Sequence, residues 1–269
     1  MSPQTRSDIV RLLETHGLAP IHRLGQHFLA DPNITRKIVA LAGVGPSSRV
    51  LEVGAGTGTL TRALAETGAS VVAYEVDRGL APVLEEVTAG LDVELCFEDI
   101  TKVDLEEVLE GEGWAMVANL PYNVGTPLVM EALRRVPAIA RFVVMVQQEV
   151  AERFVAGPGD ADYGLPSVVA GIYSNAAVAF RVPPQVFYPA PKVGSAVVVM
   201  DRKPVSVHAE RAVELARAAF GQRRKMLRRS LAEVLDHPEA TLDAAGLDPQ
   251  ARAEELSPEE YLGLAEVAP

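Results

Sequence analysis

Two short segments and two isolated acids carry residue types whose order suits chemistry. Glu52-Val-Gly-Ala-Gly-Thr-Gly58 follows a β-branched run and precedes a helical stretch, the context in which a glycine-rich turn has meaning. Glycine permits a tight turn and lets a ligand approach main-chain N–H groups closely. The spacing is G-x-G-x-G, not the G-x-G-x-x-G of pyrophosphate-binding dinucleotide folds. Glu75 ends the second apolar run, where a carboxylate can accept hydrogen bonds from both hydroxyls of a ribose. Asp99 ends the third, a place for a carboxylate to meet an adenine amino group. Asn119-Leu120-Pro121-Tyr122 follows the fourth. The Asn119 amide oxygen and the Leu120 carbonyl can accept both N–H bonds of an exocyclic amine, a poor nucleophile because its lone pair is delocalised into the ring. Pro121 stiffens the turn, and fixed geometry lowers a barrier. Tyr122 can stack on a base taken out of its helix, with Phe187 or Tyr188 as the opposite wall unless Phe187 is a core aromatic.

The elements that position these residues read as an α/β chain. Strands are predicted at 50–53, 71–75, 93–97, 115–118 and 142–146, with helices at 59–67 and 80–87 between them. Apolar runs alternating with helices imply a mostly parallel sheet covered on both faces. Runs at 176–182 and 196–200, joined by a segment with Pro183, Pro184, Pro189 and Pro191, look like an antiparallel pair at one edge. Near the amino end, Ser7 is the predicted cap of a helix carrying Ile9, Val10 and Leu13, and Asp31-Pro32 opens another. The strand signal disappears after Arg202-Lys203-Pro204, so the organisation expected is an extension over 1–24, a catalytic domain over 25–203 and a small all-helical domain over 204–269. Together, glycine loop and acids resemble the S-adenosylmethionine site of class I methyltransferases. Asn119-Leu-Pro-Tyr122 is similar to the N/D/S-P-P-Y/F motif of methyltransferases that act on exocyclic amino groups.

The net charge of −11 argues at first against a polyanionic partner. Its distribution reverses that. Residues 66–112 hold 14 acids against Arg78 and Lys102, and residues 233–266 hold 10 against Arg252, which leaves 22 bases against 12 acids elsewhere. Arg217, Arg223, Arg224, Lys225, Arg228 and Arg229 lie within 13 residues free of acids. On a helix from Arg223 onward, Leu227, Leu231 and Val234 would form one face and the bases much of the rest, an electrostatic footprint for a phosphate backbone. Arg6, Arg11, Arg23, Arg36 and Lys37 are candidates to extend it. The single cysteine, Cys96, permits no intramolecular disulfide, and the five histidines show no metal-ligand spacing. No apolar run is long enough for a membrane span, and the first 20 residues are polar and mixed in charge. A cytoplasmic monomer without a metal is the expectation.

Seven motifs occur in the order seen in ribosomal RNA adenine dimethyltransferases of the KsgA type: Gly25-Gln-His-Phe-Leu29, Glu52 to Gly58, Asn119 to Tyr122, Gln148-Glu-Val-Ala-Glu-Arg153, Tyr163-Gly164, Pro189-Ala-Pro-Lys-Val193 and Phe220-Gly-Gln-Arg-Arg-Lys225. The resemblance runs from about Gly25 to Tyr261. It implies S-adenosylmethionine as donor and two methyl transfers to N6 of each of two adjacent adenosines, in the 3′-terminal hairpin of 16S-type rRNA in a late small-subunit intermediate. Carried over by position, His27 and Leu29 border the methionine part of the cofactor, Gly54 and Gly56 approach it by backbone, Glu75 binds ribose, Asp99 binds adenine, and Asn119 serves cofactor and target. Arg223, Arg224, Lys225, Arg228 and Arg229 would bind RNA. The sequence departs from the family pattern at His27, where asparagine is usual, at Ala55 for a common proline, and at Gln148 for a frequent lysine. Three other readings remain: an erythromycin-resistance-type enzyme acting on the large subunit, a non-catalytic assembly factor, and a dinucleotide oxidoreductase.

Overall fold

The computed structural model describes residues 3–122 and 124–268. Its contacts divide the chain into two compact units, one from the amino end to Ala151 with Ala177–Asp201, the other Glu152–Ala176 with Arg202 onward. The helical unit thus takes in residues 152–176, and residues before Gly25 belong to the first unit. The division expected from sequence set 1–24 apart as an extension and placed 152–176 in the catalytic domain, and it differs because compactness follows packing and not order along the chain.

The first unit begins with α1 (Arg6–Thr15), then β1 (Phe28–Leu29) and α2 (Pro32–Ala42). Thr5, not Ser7, is the N-cap of α1, in a reciprocal capping box with Asp8. Asp31 caps α2 by accepting from the N–H groups of Asn33 and Ile34 at 2.7 and 3.2 Å, and Pro32 occupies the first turn, where a missing N–H costs nothing. The alternation continues as β2 (Arg49–Val53), α3 (Thr59–Ala65), β3 (Ser70–Tyr74), α4 (Ala81–Thr88), β4 (Val93–Cys96), α5 (Leu105–Val108), β5 (Trp114–Asn119), α6 (Gly125–Arg135) and β6 (Ile139–Gln147). After α7 (Gln148–Val155) and α8 (Leu165–Tyr173) come β7 (Ser174–Val182), β8 (Phe187–Tyr188) and β9 (Ser195–Arg202).

Seven strands form one sheet in the order β4-β3-β2-β5-β6-β9-β7. The five from β4 to β6 are parallel, and β9 runs antiparallel to β6. Strands β5 and β6 lie mid-sheet, so Met116, Val117, Ala118, Phe142, Val143 and Val144 are wholly buried. The order reverses between β2 and β5, which opens a crevice beyond their carboxyl ends. At the opposite end Arg49 donates to the carbonyls of Glu110 and Glu112 and lies over the Trp114 ring at 5.2 Å. The short β1–β8 pair joins Leu29 to Phe187.

The second unit adds α9 (Ala209–Gly221), α10 (Leu227–Ser230), α11 (Pro238–Ala244) and α12 (Pro258–Val267). Its core is tied by two buried tyrosines. Tyr163 donates to the Leu256 carbonyl at 2.7 Å and Tyr261 to that of Ala253 at 2.9 Å, with the Phe220 ring beside both. Each phenol buries its ring yet keeps a partner for its hydroxyl. The helix expected from Arg223 onward is absent over 223–226. There the backbone is drawn to another segment: Met226 bridges to Arg252, and the Leu227 N–H donates to the Ala251 carbonyl at 2.8 Å. Among the described residues no helix is long and apolar enough to cross a membrane, and no group of three or more His, Cys, Asp or Glu is placed to hold a metal ion.

Candidate active site

The crevice beyond β2 and β5 holds a cavity of about 270 Å³. His27, Leu29, Gly54, Gly56, Glu75, Asp99, Asn119, Leu120, Pro121 and Tyr122 all line it. Phe187 does not. It is 1% exposed and packs in the core against the β1 strand, so the aromatic expectation there resolves to packing.

Gly54 links the two motifs. Its φ of +78° is open to glycine, and a Cβ built there would meet Pro121 Cδ at 3.3 Å and the Asn119 carbonyl at 3.5 Å. The glycine turn therefore lies directly against the Asn119–Tyr122 turn. At Asn119, Nδ2 donates to the His27 carbonyl at 3.1 Å, which leaves Oδ1 as the acceptor. His27 is held in turn: its Nδ1 lies 2.7 Å from the Pro189 carbonyl, so Nδ1 carries the proton. The imidazole stacks on Tyr122 with centroids 5.8 Å apart, and the Tyr122 hydroxyl is 2.9 Å from Ser195 Oγ. Three interactions thus fix a planar aromatic wall beside an open amide oxygen.

The acids are arranged for a nucleoside. Glu75 is buried, its Oε2 accepting from the Gly56 N–H at 2.8 Å and its Oε1 from the Asp77 N–H at 2.9 Å. A carboxylate has about four lone-pair sites, so two stay open to neighbouring hydroxyls. Burial raises the Glu75 carboxyl above its usual range, and the backbone N–H groups of Asp77, Gly56 and Val76 oppose that. Asp99 spends Oδ1 on the Thr101 N–H and hydroxyl, which hold its carboxyl below the usual range, while Oδ2 has only Lys102, at 3.9 Å, among the described residues.

Glu52, 1% exposed, also lines the cavity, and its Oε2 has no hydrogen-bond partner among the described residues. A buried, unused acceptor in a site otherwise suited to a nucleoside fits a ligand that carries both a nucleoside and a cationic group, as S-adenosylmethionine does. Burial, opposed by hydrogen bonding from Thr61 and reinforced by the Glu75 carboxylate, pushes Glu52 up to about 8. In the unfolded chain this carboxyl titrates near 4.5, so between these pH values the folded state holds a proton that the unfolded state has lost, and stability falls as pH rises. Each pH unit in that window costs at most about 1.4 kcal/mol. Glu52→Gln should match the wild type in melting temperature near pH 4.5 and exceed it by several degrees at pH 8, ligand-free. A gap that does not change with pH contradicts the shift.

Gln26 and Asp77 were not singled out from sequence as site residues. The Gln26 amide accepts from the Ile21 N–H and donates to Asp77 Oδ2, both at 2.7 Å, and Asp77 in turn holds Glu75. Gln26 sits inside the Gly25–Leu29 motif, which was a signal, but its partner is 51 residues away. In the helical unit Arg224, Lys225 and Arg229 are exposed, with no ion pair among the described residues. Arg223 pairs with Glu254 at 3.5 Å and Arg228 with Glu239 at 2.8 Å, so two of the five bases expected to bind RNA are partly neutralised.

A family model described as ribosomal RNA adenine dimethylase matches residues 21–268. The ribosomal RNA small subunit methyltransferase A of Phenylobacterium zucineum (strain HLK1) is 45% identical over 270 residues, covering 99% of this chain and 94% of that protein. Its counterpart in Methylococcus capsulatus is 43% identical over 250 residues, covering 91% and 96%. Among solved structures, a dimethyladenosine transferase from Plasmodium falciparum superposes with a TM-score of 0.77 at 24% identity, covering 88% of this chain and 96% of that one. The 23S rRNA methyltransferase ErmE superposes at 0.68 with 28% identity, covering 90% and 99%. The fold is that of class I S-adenosylmethionine-dependent methyltransferases, and the chain belongs to the ribosomal RNA adenine dimethylase family.

Proposed function

We propose that this enzyme dimethylates N6 of two adjacent adenosines in the 3′-terminal hairpin of small-subunit rRNA, acting as a cytoplasmic monomer on a late assembly intermediate. The observation that carries the reading is the contact between the glycine turn and the Asn119–Tyr122 turn, which brings a nucleoside-binding loop and an amine-accepting turn into one cavity. When bound, S-adenosylmethionine supplies an electrophilic methyl on a sulfonium that departs as a neutral thioether. Asn119 Oδ1 and the Leu120 carbonyl accept the two N6 hydrogens and direct the nitrogen lone pair toward the methyl carbon. Transfer would form the C–N bond as the C–S bond breaks, with the N6 proton released to solvent. Tyr122, steadied by His27 and Ser195, stacks on the extruded base. Glu75 takes the cofactor's ribose, Asp99 its adenine and Glu52 a cationic group of its methionine part, while His27 and Leu29 border that part. Arg224, Lys225 and Arg229, with Arg223 and Arg228, meet the RNA backbone.

Whole-length similarity to two small-subunit methyltransferases supports the substrate, and the superposition on ErmE supports a large-subunit reading. The test is incubation with labelled S-adenosylmethionine and either small or large subunits that lack dimethyladenosine, with the product mapped by mass spectrometry. Dimethyladenosine at two adjacent positions of the small-subunit hairpin is expected. Label confined to the large subunit reverses the assignment, and none in either favours an assembly factor. In the same assay the triple variant Arg224→Ala/Lys225→Ala/Arg229→Ala should bind subunits more weakly and reduce the log–log salt slope by about 2 to 3.

A further inference from the structure

The glycine turn has few means of holding its own shape. Gly56 and Gly58 have φ values of +58° and +76°, and α3 starts at Gly58 without a side-chain cap. Within the turn the Gly58 N–H donates to the Ala55 carbonyl at 2.9 Å, and further stiffness comes from neighbours. The Gly54 and Ala55 N–H groups donate to the Tyr74 carbonyl at 2.8 and 3.2 Å, and Gly56 donates to Glu75. Thr57, between the two left-handed glycines, is held by a residue 53 positions earlier in the chain. Gln4 Nε2 donates to the Thr57 carbonyl at 2.8 Å, while Gln4 Oε1 accepts from the hydroxyls of Thr57 at 2.9 Å and Thr59 at 2.8 Å.

The adjoining helix α1 places the amide there. Thr5 and Asp8 close the capping box that starts α1, Ile9 and Leu13 anchor that helix in the core, and the Arg6 guanidinium lies 5.3 Å from the Tyr188 ring centroid. Three hydrogen bonds to one turn, from a side chain aimed by a packed helix, form a clamp between the amino-terminal segment and the cavity.

We propose that Gln4 is a positioning residue for cofactor binding: by holding Thr57 and the first turn of α3 in the ligand-ready shape it sets the affinity for S-adenosylmethionine without touching it. The inference rests on the assignment of the glycine turn to that cofactor. Without the clamp the turn samples other shapes, and apparent affinity falls with the fraction of molecules that remain competent. The maximum rate at saturating cofactor should not fall.

The test compares full-length wild type, Gln4→Ala and Gln4→Glu by calorimetric titration with S-adenosylmethionine, and by hydrogen exchange of amides 56–60 in ligand-free protein. Gln4→Ala should bind about tenfold more weakly, with faster exchange over 56–60 and unchanged kcat, so that the loss appears in KM for the cofactor. Gln4→Glu keeps both acceptor bonds from the threonine hydroxyls but sets a carboxylate oxygen against the Thr57 carbonyl, so it should fall between alanine and wild type. Unchanged affinity overturns the proposal, whether or not exchange quickens, because faster exchange alone shows a structural clasp with no effect on the ligand. A wild type that binds no S-adenosylmethionine overturns the assignment of the turn instead.

Discussion

Asn119→Ala should slow methyl transfer about 10³-fold at saturating cofactor while weakening S-adenosylmethionine binding by no more than about tenfold, since a preorganised polar group aimed at a reacting centre contributes on that scale. The side chain holds one end of the turn through Nδ2 to the His27 carbonyl, and the proposed mechanism has it present Oδ1 to the target amine. Alanine removes both. Asn119→Asp separates them: it keeps an acceptor, loses the donor that orients it, and adds a charge beside Glu52 and Glu75 in the same cavity. Single-turnover rates on small subunits, read beside equilibrium dialysis of the cofactor, distinguish chemistry from binding. A rate within tenfold of wild type for Asn119→Ala removes this residue from the centre of the mechanism.

The second large effect belongs to Glu75. Glu75→Ala should raise the dissociation constant for S-adenosylmethionine about 10²-fold, because hydrogen bonds to charged groups are worth about 1.5–3 kcal/mol each. Two hydroxyl contacts would be lost, and the Gly56 and Asp77 N–H groups would lose their acceptor. The defect should appear in the cofactor KM, with kcat largely retained once the cofactor saturates. Calorimetric titration is the direct measurement. Affinity equal to wild type places the ribose elsewhere.

The parallel sheet was legible because buried strands read as short apolar runs, and those at 50–53, 71–75 and 115–118 are too short to be amphipathic helices. The glycine turn and the acids after β3 and β4 were legible for a related reason: in this topology a ligand must sit at strand ends, so position along the chain translates into position in the cavity. Longer-range facts were not. Gln4 and Asp77 act through partners more than 50 residues away, and no local pattern marks them. The helix expected from Arg223 onward begins only at Leu227, because Met226 bridges to Arg252 and the Leu227 N–H bonds to the Ala251 carbonyl, a long-range pairing that apolar spacing does not reveal. Phe187 carried the right chemistry, but the pairing of β8 with β1 turns it inward.

The pair of acceptors proposed at Asn119 and Leu120 has a consequence for an enzyme that must act twice on one nitrogen. An unmodified adenosine brings two N–H groups to two oxygens. After the first transfer one oxygen faces carbon, and after the second both do. The site therefore grips its target less with every methyl it adds, and the finished base, with no hydrogen left to give, is the species most easily let go.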